Sequence, residues 1–133
     1  MEQTFNAAVK LYDSGLVAAG ALIDSSTTFP TGIDTSRMSQ VSIIFINNDA
    51  GVTRAYQVQM LDANGAAIYP AALGNTGVVA ISSLVNFVIA VGAASVGFIA
   101  AQTAVWPVPP APRMRVALTA AGSSTGRVVV WGR

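Results

Sequence analysis

The sequence predicts an all-β fold: a single-domain antiparallel β-sandwich or jelly roll of about eight short strands, with residues 1–40 as a less regular N-terminal arm or first strand. Three observations carry that expectation. The apolar blocks are short and rich in Val and Ile, whose branched side chains suit a pleated surface. Clusters of Gly, Asn, Ser and Pro interrupt them about every 8–12 residues, the spacing of sandwich and barrel turns. Several blocks alternate polar and apolar residues, which gives each one face for a core and one for solvent. At 133 residues the chain has the size of one domain, 1–133, and enough length to bury a core without disulfides or metals. No internal repeat is visible.

In the N-terminal forty residues, 18–23 has the composition of a strand, 25–32 reads as a loop or irregular arm, and a helix over 5–12 is an alternative. Residues 41–47, Val-Ser-Ile-Ile-Phe-Ile-Asn, form a β-branched block closed by Asn48-Asp49-Ala50-Gly51 and are expected to be a central strand with both faces covered. Residues 54–62 alternate, placing Tyr56, Val58 and Met60 on a core face and Gln57 and Gln59 on a wet one. Asp62-Ala63-Asn64-Gly65 is the strongest turn signal, because Asn-Gly accepts the positive φ angles of a tight hairpin. Residues 66–69 are the returning strand. Pro70, 74–77 and Ser82-Ser83 then divide the chain into strands at 77–81 and 84–91, with 96–101 as a further one. The run 106–112 holds four prolines, which remove backbone donors and fix φ, so it is expected to be a stiff, extended connector. Residues 113–119 alternate with Met114, Val116 and Leu118 inward, 122–126 turn the chain, and 127–133 form the last strand.

Composition narrows function by exclusion. The chain has no His and no Cys, which removes Ser-His-Asp triads, imidazole bases, thiol chemistry and the common zinc sites. No catalytic, cofactor-binding or metal residue is expected. Among the acids, Asp24 and Asp34 are the one pair to consider for glycoside hydrolysis, and their Ser/Thr-rich surroundings favour turn capping instead. Asn47-Asn48-Asp49 offers oxygens with a single charge, too little for a calcium loop. No phosphate-binding glycine loop is present. The six arginines are dispersed and the net charge is +1, so nucleic acid is not an expected partner.

Between Asp62 and Arg113 the chain runs fifty residues without a charged side chain, while 53% of all residues are hydrophobic and 10% are charged. Such a stretch crosses a membrane or is covered by protein. The segment 84–101 approaches the length of a spanning helix, but its β-branched residues, its breakers Gly92 and Gly97 and its lack of flanking basic residues oppose that. The acidic, polar residues 1–6 are not expected to act as an export signal. A membrane is therefore not an expected partner.

Arg113 and Arg115 are expected on the outer face of one strand, and Arg127, Trp131 and Arg133 on that of the last. If the two strands pair as a hairpin, these residues form one surface rich in the types enriched at interaction hot spots. Together with Trp106 beside its prolines, they are the candidate protein–protein contact residues.

Residues 33–37, Ile-Asp-Thr-Ser-Arg, leading into 41–47 and then into the alternating 56–62, Tyr-Gln-Val-Gln-Met-Leu-Asp, resemble the small β-sandwich structural proteins of tailed-bacteriophage virions. The ending is similar too: Pro112-Arg113-Met114-Arg115-Val116-Ala117-Leu118, a Gly/Ser turn, and Val128-Val129-Val130-Trp131-Gly132-Arg133. The resemblance covers about residues 33–133 and rests on polarity patterns. Within that group the chain looks most like a capsid decoration, or cementing, protein. The resemblance implies a non-enzymatic homo-oligomer, dimer or trimer, made in the host cytoplasm and placed on the virion surface. Its implied partner is the major capsid protein. A head-fibre base or tail component fits the same composition. From other classes, a holin-type membrane protein and a glycan-binding module stacking sugars on Tyr69, Trp106 and Trp131 are the rivals.

Overall fold

The computed structural model describes residues 8–69, 71–91, 103–106 and 113–133. In chain order the strands are β1 (Val9–Asp13), β2 (Ile23–Asp24), β3 (Ile33–Asp34), β4 (Gln40–Asn47), β5 (Arg54–Leu61), β6 (Ala67–Tyr69), β7 (Gly77–Val79), β8 (Ser83–Val91), β9 (Thr103–Trp106), β10 (Arg113–Leu118) and β11 (Gly126–Gly132), with one 3-10 turn at Ser25–Thr27. They form two sheets, one ordered β1-β11-β4-β8-β9 and the other β2-β10-β5-β6, with β3 also against β10 and β7 against β5. The fold is the expected single-domain β-sandwich. Every pairing is antiparallel except β8 with β9, which run parallel.

Period-two alternation builds the core. On β4, Val41, Ile43 and Phe45 are buried while Gln40, Ser42, Ile44 and Ile46 are half-exposed. From the facing sheet Tyr56, Val58, Met60, Met114, Val116 and Leu118 meet them. The Phe45 and Tyr56 rings stack with centroids 5.0 Å apart, tying the two sheets together.

The described N-terminal residues are more regular than an arm. No helix forms at 9–12: Val9–Asp13 pairs with β11, and the candidate strand at 18–23 shrinks to Ile23–Asp24 on β10. Tertiary pairing of Tyr12 and Ile23, both in the core, outweighs local propensity here. The 62–65 turn forms a hairpin, but only Gly65 takes a positive φ, of 85°. Asp62 accepts from the Asn64 and Ala66 amides through Oδ1, at 2.8 and 2.9 Å, so the carboxylate shapes the turn and Asn64 is not forced left-handed. The expected strand at 96–101 and the proline run 107–112 lie outside the described residues; Trp106 belongs to β9 rather than to a connector.

The largest departure concerns the last two strands. β10 and β11 do not pair with each other: β10 pairs with β2, β3 and β5, while β11 pairs with β1 and β4 in the opposite sheet. The segment between them crosses from one sheet to the other, held by Asp49, whose Oδ2 accepts from the Ser123 and Ser124 amides at 3.0 and 3.3 Å. Gly122, at φ 66°, leaves room there, since a Cβ would collide with the Asp49 carboxylate.

A buried polar knot closes this end of the sandwich. Asn47 donates to the carbonyls of Val52, Val79 and Ala80, and Asp49 Oδ1 accepts from the Gly51 and Val52 amides. Arg54, 1% exposed, donates from Nε to Thr119 O at 2.9 Å and from Nη2 to Ala21 O at 2.6 Å. These bonds satisfy carbonyls that burial would otherwise leave costly.

Candidate contact surface

The sandwich has two outer faces with different chemistry. On the five-stranded sheet, pairing sets three rows side by side: Leu84, Ile46 and Arg127; Asn86, Ile44 and Val129; Val88, Ser42 and Trp131. Leu84 and Val88 are 56% and 44% exposed, and Ile44, Ile46 and Trp131 are half-exposed. Between them Ser42 Oγ donates to Asn86 Oδ1 at 2.9 Å. The result is an aliphatic patch with little polar surface to desolvate.

Charged side chains line its margin, each bonded to a neighbour. Arg127 holds Asp13 through Nε at 2.9 Å and Nη2 at 2.5 Å. Lys10 Nζ donates to Asp13 at 3.1 Å and sits 5.9 Å from the Trp131 ring centroid, within cation–π range. Arg133 Nε donates to Gln40 Oε1 at 2.7 Å.

The opposite face carries Arg113 and Arg115. Arg115 forms a two-point bond with Asp24, Nε at 3.0 Å and Nη2 at 2.5 Å, while Arg113 Nη1 donates to Gly32 O at 3.2 Å. A cleft of about 370 Å³ lies here, with Arg115, Gln59, Phe29 and Leu73 among its lining. Gln59, expected to be wet, is 5% exposed, because the loops at 29–32 and 71–73 wall the cleft around it.

The six residues singled out from sequence therefore do not make one surface. Arg127, Trp131 and Arg133 share the outer face of the five-stranded sheet, Arg113 and Arg115 occupy the six-stranded one, and Trp106 ends β9 at the far edge of the first sheet. The aliphatic patch itself was not foreseen, because 41–47 reads as buried on both faces. Six consecutive apolar or small residues, 41–46, mask the alternation that burial reveals.

Four carboxylates, Asp13, Asp24, Asp34 and Asp49, are held ionised. Hydrogen bonding by Arg127 keeps Asp13 well below the usual range. Burial alone would raise Asp24, but hydrogen bonds from Arg115 and Ser26 outweigh it and the net shift is downward. Asp34 is lowered by Ser36, through hydroxyl and amide, and Asp49 by the amides of Gly51 and Ser123. A lowered carboxylate is a poor general acid or base at neutral pH. Geometry also separates the pair considered for hydrolysis: Asp24 and Asp34 lie opposite Ala117 and Arg113, four residues apart along β10. That is roughly 13 Å by strand rise, against the roughly 5–9.5 Å spacing glycosidases use.

Stability should follow these shifts. Each folded-state pKa lies below the ordinary value of 3.8, so its contribution is fully present above that pH and is lost as pH falls through the folded value. No side chain in this His-free sequence has an ordinary pKa between about 5 and 8. Thermal melts should give a midpoint that is level from about pH 5 to 8 and declines below about pH 4; a sharp change near pH 6.5 would contradict this.

Among the described residues no group of three or more acidic side chains clusters in a way that would hold a metal ion. No helix among them is long and apolar enough to cross a membrane, and the first part of the 84–101 run is strand β8. Compared with known proteins, the chain matches no family model, no curated protein and no solved structure.

Proposed function

We propose that this chain is a structural virion protein that binds the outer surface of a tailed-phage capsid and cements coat subunits through protein–protein contacts. The observation that carries the reading is the outer face of the five-stranded sheet, where Leu84 and Val88 stand exposed beside Ile44, Ile46 and Trp131. A cementing subunit needs apolar area to bury. At about 25 cal/mol per Å², an interface of standard size gains tens of kcal/mol before the costs of association. The Arg127–Asp13 ion pair at the margin keeps both its partners on docking, which limits the charge that is stranded. The sequence resemblance over residues 33–133 supports the same class, and the His- and Cys-free composition fits a protein whose work is binding.

The major capsid protein is the partner this reading requires. Purified protein mixed with undecorated capsids of the encoding phage should bind saturably, at a fixed ratio to the coat subunits, in a co-sedimentation assay. Absence of binding, or unsaturable adsorption, would refute the proposal.

A further inference from the structure

β1 ends the five-stranded sheet: it pairs with β11 on one side, and no described strand pairs with the other. A groove of about 590 Å³ opens beside it, lined by residues 10–15 and by Thr28 and Phe29. An exposed edge of this kind is a template for another strand, which proteins ordinarily blunt or use.

A register shift between Lys10 and Tyr12 gives this edge an unusual pattern. Tyr12 is in the core and Leu11 packs against it. Lys10 and Asp13 both lie on the outer face, where Lys10 meets Trp131 and Asp13 meets Arg127. Read from either end, the sequence of orientations is outward, inward, inward, outward, and the two outward positions carry opposite charges. That arrangement is complementary to itself under a two-fold rotation.

We propose that β1 is a self-association edge, on which β1 of a second copy pairs antiparallel about a two-fold axis between Leu11 and Tyr12. Lys10, which bonds Asp13 of its own chain, then also faces Asp13 of the second copy, and Asp13 faces its Lys10, so the two ion pairs merge into one four-charge cluster across the axis. The two five-stranded sheets become one, and their aliphatic outer faces lie side by side. The charge pattern singles out a second copy as the occupant, because another protein's strand has no reason to repeat it. The inference rests on β1 alone, so it stands or falls separately from capsid binding.

A charge-exchange experiment tests it with full-length protein and no capsid. By light scattering, the unaltered chain should be a dimer. Lys10→Glu sets the new carboxylate against Asp13 of the second copy, and Asp13→Lys sets two ammonium groups together. Each variant alone should self-associate on the order of a hundredfold more weakly, about tenfold for each of two like-charge contacts. An equimolar mixture should form a heterodimer, since every facing pair is again opposite in sign. Asp13→Lys also removes the Arg127 partner; if it fails to fold, Lys10→Glu alone decides, with circular dichroism confirming its β-structure. A monomeric or trimeric unaltered chain, or a dimer indifferent to Lys10→Glu, would overturn the proposal.

Discussion

Replacing Arg54 with Ala is expected to cost about 4 kcal/mol of stability, a fall of roughly 15 °C in thermal midpoint for a domain of this size. The guanidinium is buried at the closed end of the sandwich, where it bonds the carbonyls of Thr119 and Ala21 and packs against Gly126. Truncation leaves two carbonyls without donors and opens a cavity, and these costs outweigh the relief of removing a buried guanidinium whose Nη1 has no hydrogen-bond partner. Lys at this position keeps the charge but presents a single point, not a planar fork, and cannot hold both carbonyls in the same geometry. Arg54→Lys should therefore also lose stability, by less than Ala. A midpoint within a few degrees of the unaltered protein for both variants would show that the knot contributes little.

The second large effect is on binding. Leu84→Asp and Val88→Asp each place a carboxylate in the centre of the proposed coat contact, where docking would strip its water without offering a partner. Capsid affinity should fall at least about a hundredfold, equivalent to some 3 kcal/mol. Folding should be nearly unaffected, because both positions are exposed and surface substitutions usually change stability by about 0.5 kcal/mol or less. Val78→Asp is the control: Val78 is exposed on β7, in the six-stranded sheet, and its variant should bind as the unaltered chain does. Equal loss in all three would point to a general effect of charge and not to one face.

Much of the fold was legible in the sequence because alternation is a local signal. Strands at 41–47, 54–62 and 113–119 match β4, β5 and β10 closely, and Met114, Val116 and Leu118 point inward as their spacing requires. The same parity places Arg54 on the core face with Tyr56, Val58 and Met60. A charged residue at such a position reads most readily as a strand boundary, and only the carbonyls waiting for it, from residues 33 and 65 positions away, explain its burial. β1 was hidden for a different reason. Its register shift breaks the period at Leu11 and Tyr12, so no local template fits the strand.

The contact surface was less legible, since it depends on which strands become neighbours. A Gly/Ser-rich turn between two apolar strands looks alike whether it closes a hairpin or crosses between sheets. Here it crosses, and Arg113 and Arg115 part from Arg127 and Trp131. The aliphatic face is assembled from β4, β8 and β11, three strands drawn from distant parts of the chain. No window of sequence contains it.

Electron cryomicroscopy of capsids saturated with the protein is the most direct test of the central claim. The account predicts density on the outer capsid surface, oriented so that the five-stranded sheet lies against the coat with Leu84 and Val88 covered. Density that sets the Arg113 and Arg115 face on the coat, or a capsid surface without added density, would contradict it.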